Sequence, residues 1–173
     1  MPDYLLDTNI VRYWYDEHAN VLSRIDTVRR PDPQTHYTSR LFTSAVTRGE
    51  IEYGHRVAPE PDPVRQAEYL RFMEAQQLEV LEIDRHTADA YGRLKAWLFN
   101  HRAPRIDRSK AKRAEELVRP RAARELGVGE NDLWIAAQAV TLNLVLVTHD
   151  KLANLREALL AEYPHFQLED WTG

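Results

Sequence analysis

The sequence predicts an α/β domain built on a central, mainly parallel sheet with helices on both faces. Three observations point there. Short apolar runs recur along the chain, notably residues 4–6 (YLL) and 144–148 (LVLVT), each bounded by polar residues as a buried strand is. Segments with apolar residues at helical spacing separate them. Reading in order gives strand, helices, strand, two helices, strand, two helices, strand, helix, strand, the alternation of a helix-covered parallel sheet.

Residues 4–6 form the first strand, and Asp7 stands at its end. Thr8 and Asn9 suit a turn or a helix cap. Ligands of open α/β sheets gather outside the carboxyl ends of the strands, so Asp7 reads equally as a cap and as a site residue. Residues 10–15 make a short helix whose Tyr13, Trp14 and Tyr15 suit core or dimer packing better than base stacking. Val21, Leu22, Ile25 and Val28 mark a second amphipathic helix, ended by Pro31 and Pro33.

Residues 40–44 alternate weakly and read as the second strand, followed by a helix over 45–55 that closes near Gly54. Pro59, Pro61 and Pro63 form a rigid connector, with Pro63 placed to open a helix over 64–76. Ala67, Leu70 and Met73 share one face of it, as core packing requires. Residues 78–83 (LEVLEI) alternate apolar and polar, giving a strand with one wetter face. Asp84 caps a helix over 85–100 that turns Tyr91, Leu94 and Leu98 inward.

A basic stretch from about 101 to 127 follows, read as a helical insertion. Ala111, Ala114 and Val118 lie on one helical face, Pro120 breaks the pattern, and Gly127 and Gly129 close it. Residues 131–142 are apolar nearly all round, as in a buried helix, with Asn131 in the capping place. The strand at 144–148 leads to a final helix over 151–163 and a short edge strand over 166–168, before Trp171.

One domain spanning 1–173 accounts for this pattern, and a chain of that length buries about 70% of its unfolded surface. There is no cysteine, which excludes disulfides, thiolate metal sites and a thiol nucleophile. The N-terminus lacks a signal-peptide pattern and no apolar run reaches membrane length, so the expectation is a cytoplasmic protein. The net charge is −4, unevenly spread. Residues 102–124 hold nine basic side chains against three acids, a surplus of six, leaving −10 on the remainder. An acidic site beside a basic contact surface fits that asymmetry.

Three more carboxylates occupy informative places. Asp150 follows the strand at 144–148 much as Asp7 follows the first, so the two would share one rim of the sheet. Asp132 stands in the first turn of the buried helix, where the helix dipole alone would favour it. Glu50 lies within the helix after the second strand, where a solvated face is the default for glutamate. Singly, each reads as structural. Together they would place four negative charges in one cleft, raising one another's pKa unless a divalent cation offsets the repulsion. Oxygen-only ligands, no cysteine and no His-x-x-x-His spacing favour one or two Mg²⁺ or Mn²⁺ ions over zinc. Such a cation polarises a phosphodiester and lowers the pKa of a bound water.

Thr148 is a candidate for orienting a carboxylate or a water, though a strand-end hydroxyl needs no such role. Asn131 is a candidate supporting residue. His149 reads more simply as a loop histidine, and Arg48 as an exposed helical arginine. Lys110, Lys112 and Arg113 in the basic stretch read either as a solvated surface or as contacts to a nucleic-acid backbone, the second favoured beside an acidic cleft.

Four stretches resemble the motifs of the PIN-domain nucleases, most closely the VapC-type toxins of bacterial toxin–antitoxin pairs. Leu5-Leu6-Asp7-Thr8-Asn9 is similar to the first motif. Residues 43–54 (TSAVTRGEIEYG) resemble the second, with Glu50 as its acid. Residues 131–139 (NDLWIAAQA) resemble the third, with Asp132. Residues 146–150 (LVTHD) resemble the fourth, with Asp150, and the closing Leu168-Glu169-Asp170-Trp171 is also similar. The resemblance implies a PIN-like fold and a metal-dependent endoribonuclease, usually dimeric, inhibited by a cognate antitoxin encoded beside it. Two departures stand out. Leu152 and Leu155 stand where relatives commonly place a phenylalanine after the fourth acid, and the basic stretch replaces a short connection.

Two rivals differ in kind. A noncatalytic module would keep the fold and grip RNA or protein, but retention of all four acids weighs against it. An aspartyl-phosphate phosphatase needs a second aspartate two positions after the nucleophile, and position nine is asparagine.

Overall fold

A computed structural model describes residues 1–60, 62–103 and 126–173. Its strands are β1 (Tyr4–Leu6), β2 (Leu41–Ser44), β3 (Glu79–Leu81), β4 (Val145–Val147) and β5 (Leu168–Glu169). They form one sheet in the order β3-β2-β1-β4-β5, and every pairing is parallel. The chain therefore starts in the middle, builds outward through β2 and β3, then crosses back to add β4 and β5 on the other side of β1. That reversal opens a crevice at the carboxyl ends of β1 and β4, the place where such sheets hold ligands. Register completes it: Leu6 pairs with Val147, and the Asp7 N–H donates to the Val147 carbonyl at 3.0 Å, so Asp7 and Thr148 leave the sheet side by side.

The helices among the described residues are α1 (Thr8–Tyr15), α2 (Ala19–Val28), α3 (Ala45–Val57), α4 (Pro63–Ala75), α5 (Arg85–Arg102), α6 (Glu130–Thr141) and α7 (Ala153–Glu162). Strand side chains alternate between faces, and two cores follow. Leu5, Phe42 and Leu146 pack with Leu94 and Leu98 of α5, Leu133 and Ile135 of α6, and Leu155 and Leu159 of α7. Tyr4, Leu6, Val145 and Val147 pack on the opposite face with Ile10, Val11 and Trp14 of α1, Val21 and Ile25 of α2, and Tyr69 and Met73 of α4. The predicted sandwich of helices around a parallel sheet is the observed one. Trp14 is core, edge-on to Phe72 at 5.3 Å, and Tyr15 leans on Tyr69 at 4.7 Å.

Several boundaries differ from expectation. α3 runs through Gly54 to Val57, because that glycine keeps helical backbone and nothing presses on it. β3 is three residues rather than six; pairing with the short β2 limits it. α7 starts at Ala153, since Leu152 takes a left-handed conformation (φ 43°) that breaks the helix predicted from 151. The edge strand is Leu168–Glu169, set by pairing with Leu146 and Val147. α6 is capped by Gly129 rather than Asn131. Pro63 opens α4 and Asp84 caps α5 as expected. Lys110, Lys112 and Arg113, and with them nearly all of the expected helical insertion, lie outside the described residues.

Candidate metal centre

Asp7 is fixed by the start of α1. Its carboxylate accepts the Thr8 N–H at 2.7 Å and thus caps the helix while facing the crevice. The capping reading of Asp7 is the observed one, and the same side chain is also placed among other acids. The Thr148 hydroxyl, at the end of β4, donates to the other Asp7 oxygen at 2.7 Å. Asn9, one residue further along α1, joins the two strand ends. Its amide nitrogen lies 3.3 Å from Asp7 Oδ2, 3.2 Å from Thr148 Oγ1 and 3.0 Å from Asp150 Oδ2. Its oxygen accepts the His149 N–H at 3.1 Å. Asn9 therefore sets the loop that delivers Asp150, a role that sequence reasoning missed.

Asp132 arrives from the first turn of α6. A Cβ added at Gly129 would meet Asp132 Oδ2 at 2.5 Å, so the carboxylate folds back over a position that only glycine leaves open. One carboxylate oxygen each from Asp7, Asp132 and Asp150 lie within 4.8 Å of one another. Glu50 stands beside this group. Its Oε1 accepts the Asn131 amide at 2.7 Å and its Oε2 accepts the Thr8 hydroxyl. Asn131 does not cap its own helix; its side chain reaches α3 and holds Glu50. A second cluster anchors the same turn of α6: Lys95 Nζ bonds Glu130 at 2.8 Å, and Tyr91, stacked on Trp134 at 3.9 Å, donates its hydroxyl to Glu130.

The electrostatics are those of a group assembled against its own repulsion. Asp7 is 4% exposed. Burial pushes its carboxyl up to about 6; the bonds from Thr148 and Thr8 pull it down, and the charges of Asp132 and Glu50 push it further up. Asp132 is raised as well, first by burial, then by Asp150 and Glu50. No described residue forms an ion pair with any of the four acids. Three close carboxylates with no histidine among them fit a hard divalent cation such as Mg²⁺ or Mn²⁺. Asp7, Asp132 and Asp150 would hold it, and Glu50 would face it from the α3 side.

His149, read as a loop residue, is exposed but held: its Nδ1 lies 2.7 Å from the Thr172 hydroxyl and 3.2 Å from Asp170. Arg48 is exposed on α3. No helix among the described residues is long and apolar enough to cross a membrane.

A family model described as "PIN domain" matches residues 4–156, which contain all four acids. No curated protein sequence matches the chain. Among solved structures, VapBC2 from Rickettsia felis bound to a promoter DNA fragment aligns with a TM-score of 0.63 at 20% identity, covering 97% of this chain and 98% of that one. DNA-bound VapBC from Salmonella typhimurium aligns with a TM-score of 0.63 at 23% identity, covering 99% of each chain. VapBC-5 from Mycobacterium tuberculosis, a member of the VapBC family of toxin–antitoxin systems, aligns with a TM-score of 0.52 at 21% identity, covering 98% of each.

Proposed function

The chain belongs to the PIN domain family, and from that premise we propose that it is a metal-dependent endoribonuclease and the toxin of a toxin–antitoxin pair. The observation that carries this reading is the meeting of Asp7, Asp132 and Asp150, 125 and 143 residues apart from the first, within 4.8 Å at the sheet's carboxyl rim. A divalent cation bound there supplies a Lewis acid for the phosphodiester and lowers the pKa of water in its shell. The chain's own part is to hold and orient. Asp7, Asp132 and Asp150 supply the ligand oxygens. Thr148 and Asn9 fix the orientation of Asp7 and Asp150, as outer hydrogen bonds do around metal ligands. Glu50, held by Thr8 and Asn131 on the α3 side of the centre, would accept the proton released by the attacking water.

The likeness to VapBC structures, one of them described as a member of a family of toxin–antitoxin systems, supports a cognate antitoxin as partner; RNA as substrate and the cytoplasm as location belong to the proposal itself. A homodimer is part of the same proposal, with Tyr53, Val57 and Val64, exposed at 68%, 56% and 64% on α3 and α4, as apolar side chains open to such a contact. The test is purified protein on total cellular RNA with Mg²⁺, mapping the cut ends. Cleavage at defined positions is expected, lost in chelator and in Asp7→Ala or Asp132→Ala, with circular dichroism unchanged. Full activity in excess chelator, or in either variant, contradicts the reading.

A further inference from the structure

Two clefts flank the acid group, and they differ in charge. The one toward α4, about 540 Å³, is lined by Thr8, Arg12, Asp16, Glu50, Asp62 and Arg65 among others. Arg12 is already paired there with Asp16 at 3.4 Å, and Glu50 and Asp62 add negative charge. The one beyond Asp150, about 490 Å³, is lined by His149, Asp150, Lys151, Arg156, Glu157 and Asp170 among others. Its outlying acids are engaged. Glu157 pairs with Arg102. Asp170 accepts from the Thr172 hydroxyl at 2.7 Å and from the Thr172 N–H at 2.9 Å, besides its contact with His149. Lys151 and Arg156 are exposed, and neither side chain has a hydrogen bond or ion pair with any described residue. Two uncompensated cations thus share a wall with Asp150, a proposed ligand of the cation.

We infer that the phosphodiester backbone beside the cleavage position lies in this Asp150-side cleft, held by Lys151 and Arg156. The assignment rests on the nuclease reading above. A strand leaving a carboxylate-bound cation in the other direction meets Asp16, Glu50, Glu60 and Asp62 with Arg65 as the one cation unpaired among the described residues; in this direction it meets two such cations, Lys151 and Arg156. The arginine fork matches two phosphate oxygens, and the lysine acts as a point charge. Contacts of this kind set register and affinity without reading bases, so the cleft positions the strand and does not select its sequence.

The experiment measures binding of a labelled, mixed-sequence single-stranded RNA by anisotropy across a salt titration, with Ca²⁺ in place of Mg²⁺ to slow hydrolysis. Wild-type protein is compared with the double variant Lys151→Ala, Arg156→Ala; if circular dichroism shows that pair misfolded, Lys151→Gln, Arg156→Gln replaces it. The double variant is expected to bind about tenfold or more weakly and to lose about 1.4 from the log–log salt slope, two single-strand phosphate contacts. Its Mg²⁺-dependent rise in melting temperature should keep the wild-type midpoint, which a damaged metal site would not. Wild-type affinity and slope in the double variant overturn the assignment while leaving the nuclease reading intact. If that result comes with lost binding of poly-glutamate, the cleft serves an acidic polypeptide instead. Wild-type protein that fails to bind RNA at all overturns both.

Discussion

Asp7 shows how one residue carries two demands. It caps α1 through the Thr8 N–H, a local and favourable use, and it is buried beside two other acids, an unfavourable one. Burial lifts its folded pKa to about 6, above the unfolded value, so its protonated form favours the folded state. That contribution is complete below about pH 4 and is lost as pH rises through about 6. Asp132, raised in the same direction, adds to it. In chelator, unfolding free energy of the wild-type protein should therefore fall as pH rises from about 4 through about 6. Asp7→Asn, which keeps an oxygen for the Thr8 N–H but loses the acceptor for the Thr148 hydroxyl, should flatten that slope. Parallel pH curves for the two proteins would show that Asp7 is not a strained charge. Asp7, Asp132 and Asp150 stood out in the sequence because strand ends and first helical turns are positions with rules; Glu50, inside α3, stood out only through the motif that it resembles. Asn9 was not: its hydrogen bonds reach Thr148 and Asp150, some 140 residues away, and no local pattern announces such a partner.

At the scale of elements, the start of α6 decides the geometry. Gly129, Asn131 and Asp132 act together: the glycine caps the helix and leaves room, the aspartate fills that room, and the asparagine reaches across to Glu50. Sequence reading gave the capping role to Asn131, because asparagine before an apolar run usually caps. It lost to a tertiary bond that the helix pattern cannot reveal. Gly129→Ala should push Asp132 from its position with little loss of stability, since Gly129 already has backbone angles open to any residue (φ −68°, ψ 140°). A rise of about tenfold or more in the Mg²⁺ midpoint, with the metal-free melting temperature held within a few degrees, is the expected result. An unchanged midpoint would mean that Asp132 tolerates the displacement. The boundary errors share a cause. β3 and β5 extend only over the residues that pair with β2 and β4, and α7 starts where Leu152 takes its left-handed conformation, neither of which a local pattern announces.

For the whole molecule, topology turns distant residues into neighbours. A parallel sheet with β1 at its centre and a reversal between β1 and β4 brings Asp7 and Asp150 to one crevice, and packing of α6 on the Leu5, Phe42 and Leu146 face brings Asp132 to the same rim. The fold class was readable in advance because apolar periodicity and element order are properties of the chain alone. The network binding Glu50 through Thr8 and Asn131, and the free charge of Lys151 and Arg156 beside Asp150, emerge only once those elements are packed. Three acids sharing one ion are the centre of the proposed chemistry. Crystals of the full chain soaked in Mn²⁺ and measured at the manganese edge test that directly. The expected result is an anomalous peak in contact with Asp7, Asp132 and Asp150, absent in Asp132→Asn. A map with no peak at that rim, or with manganese bound only elsewhere on the surface, would contradict it.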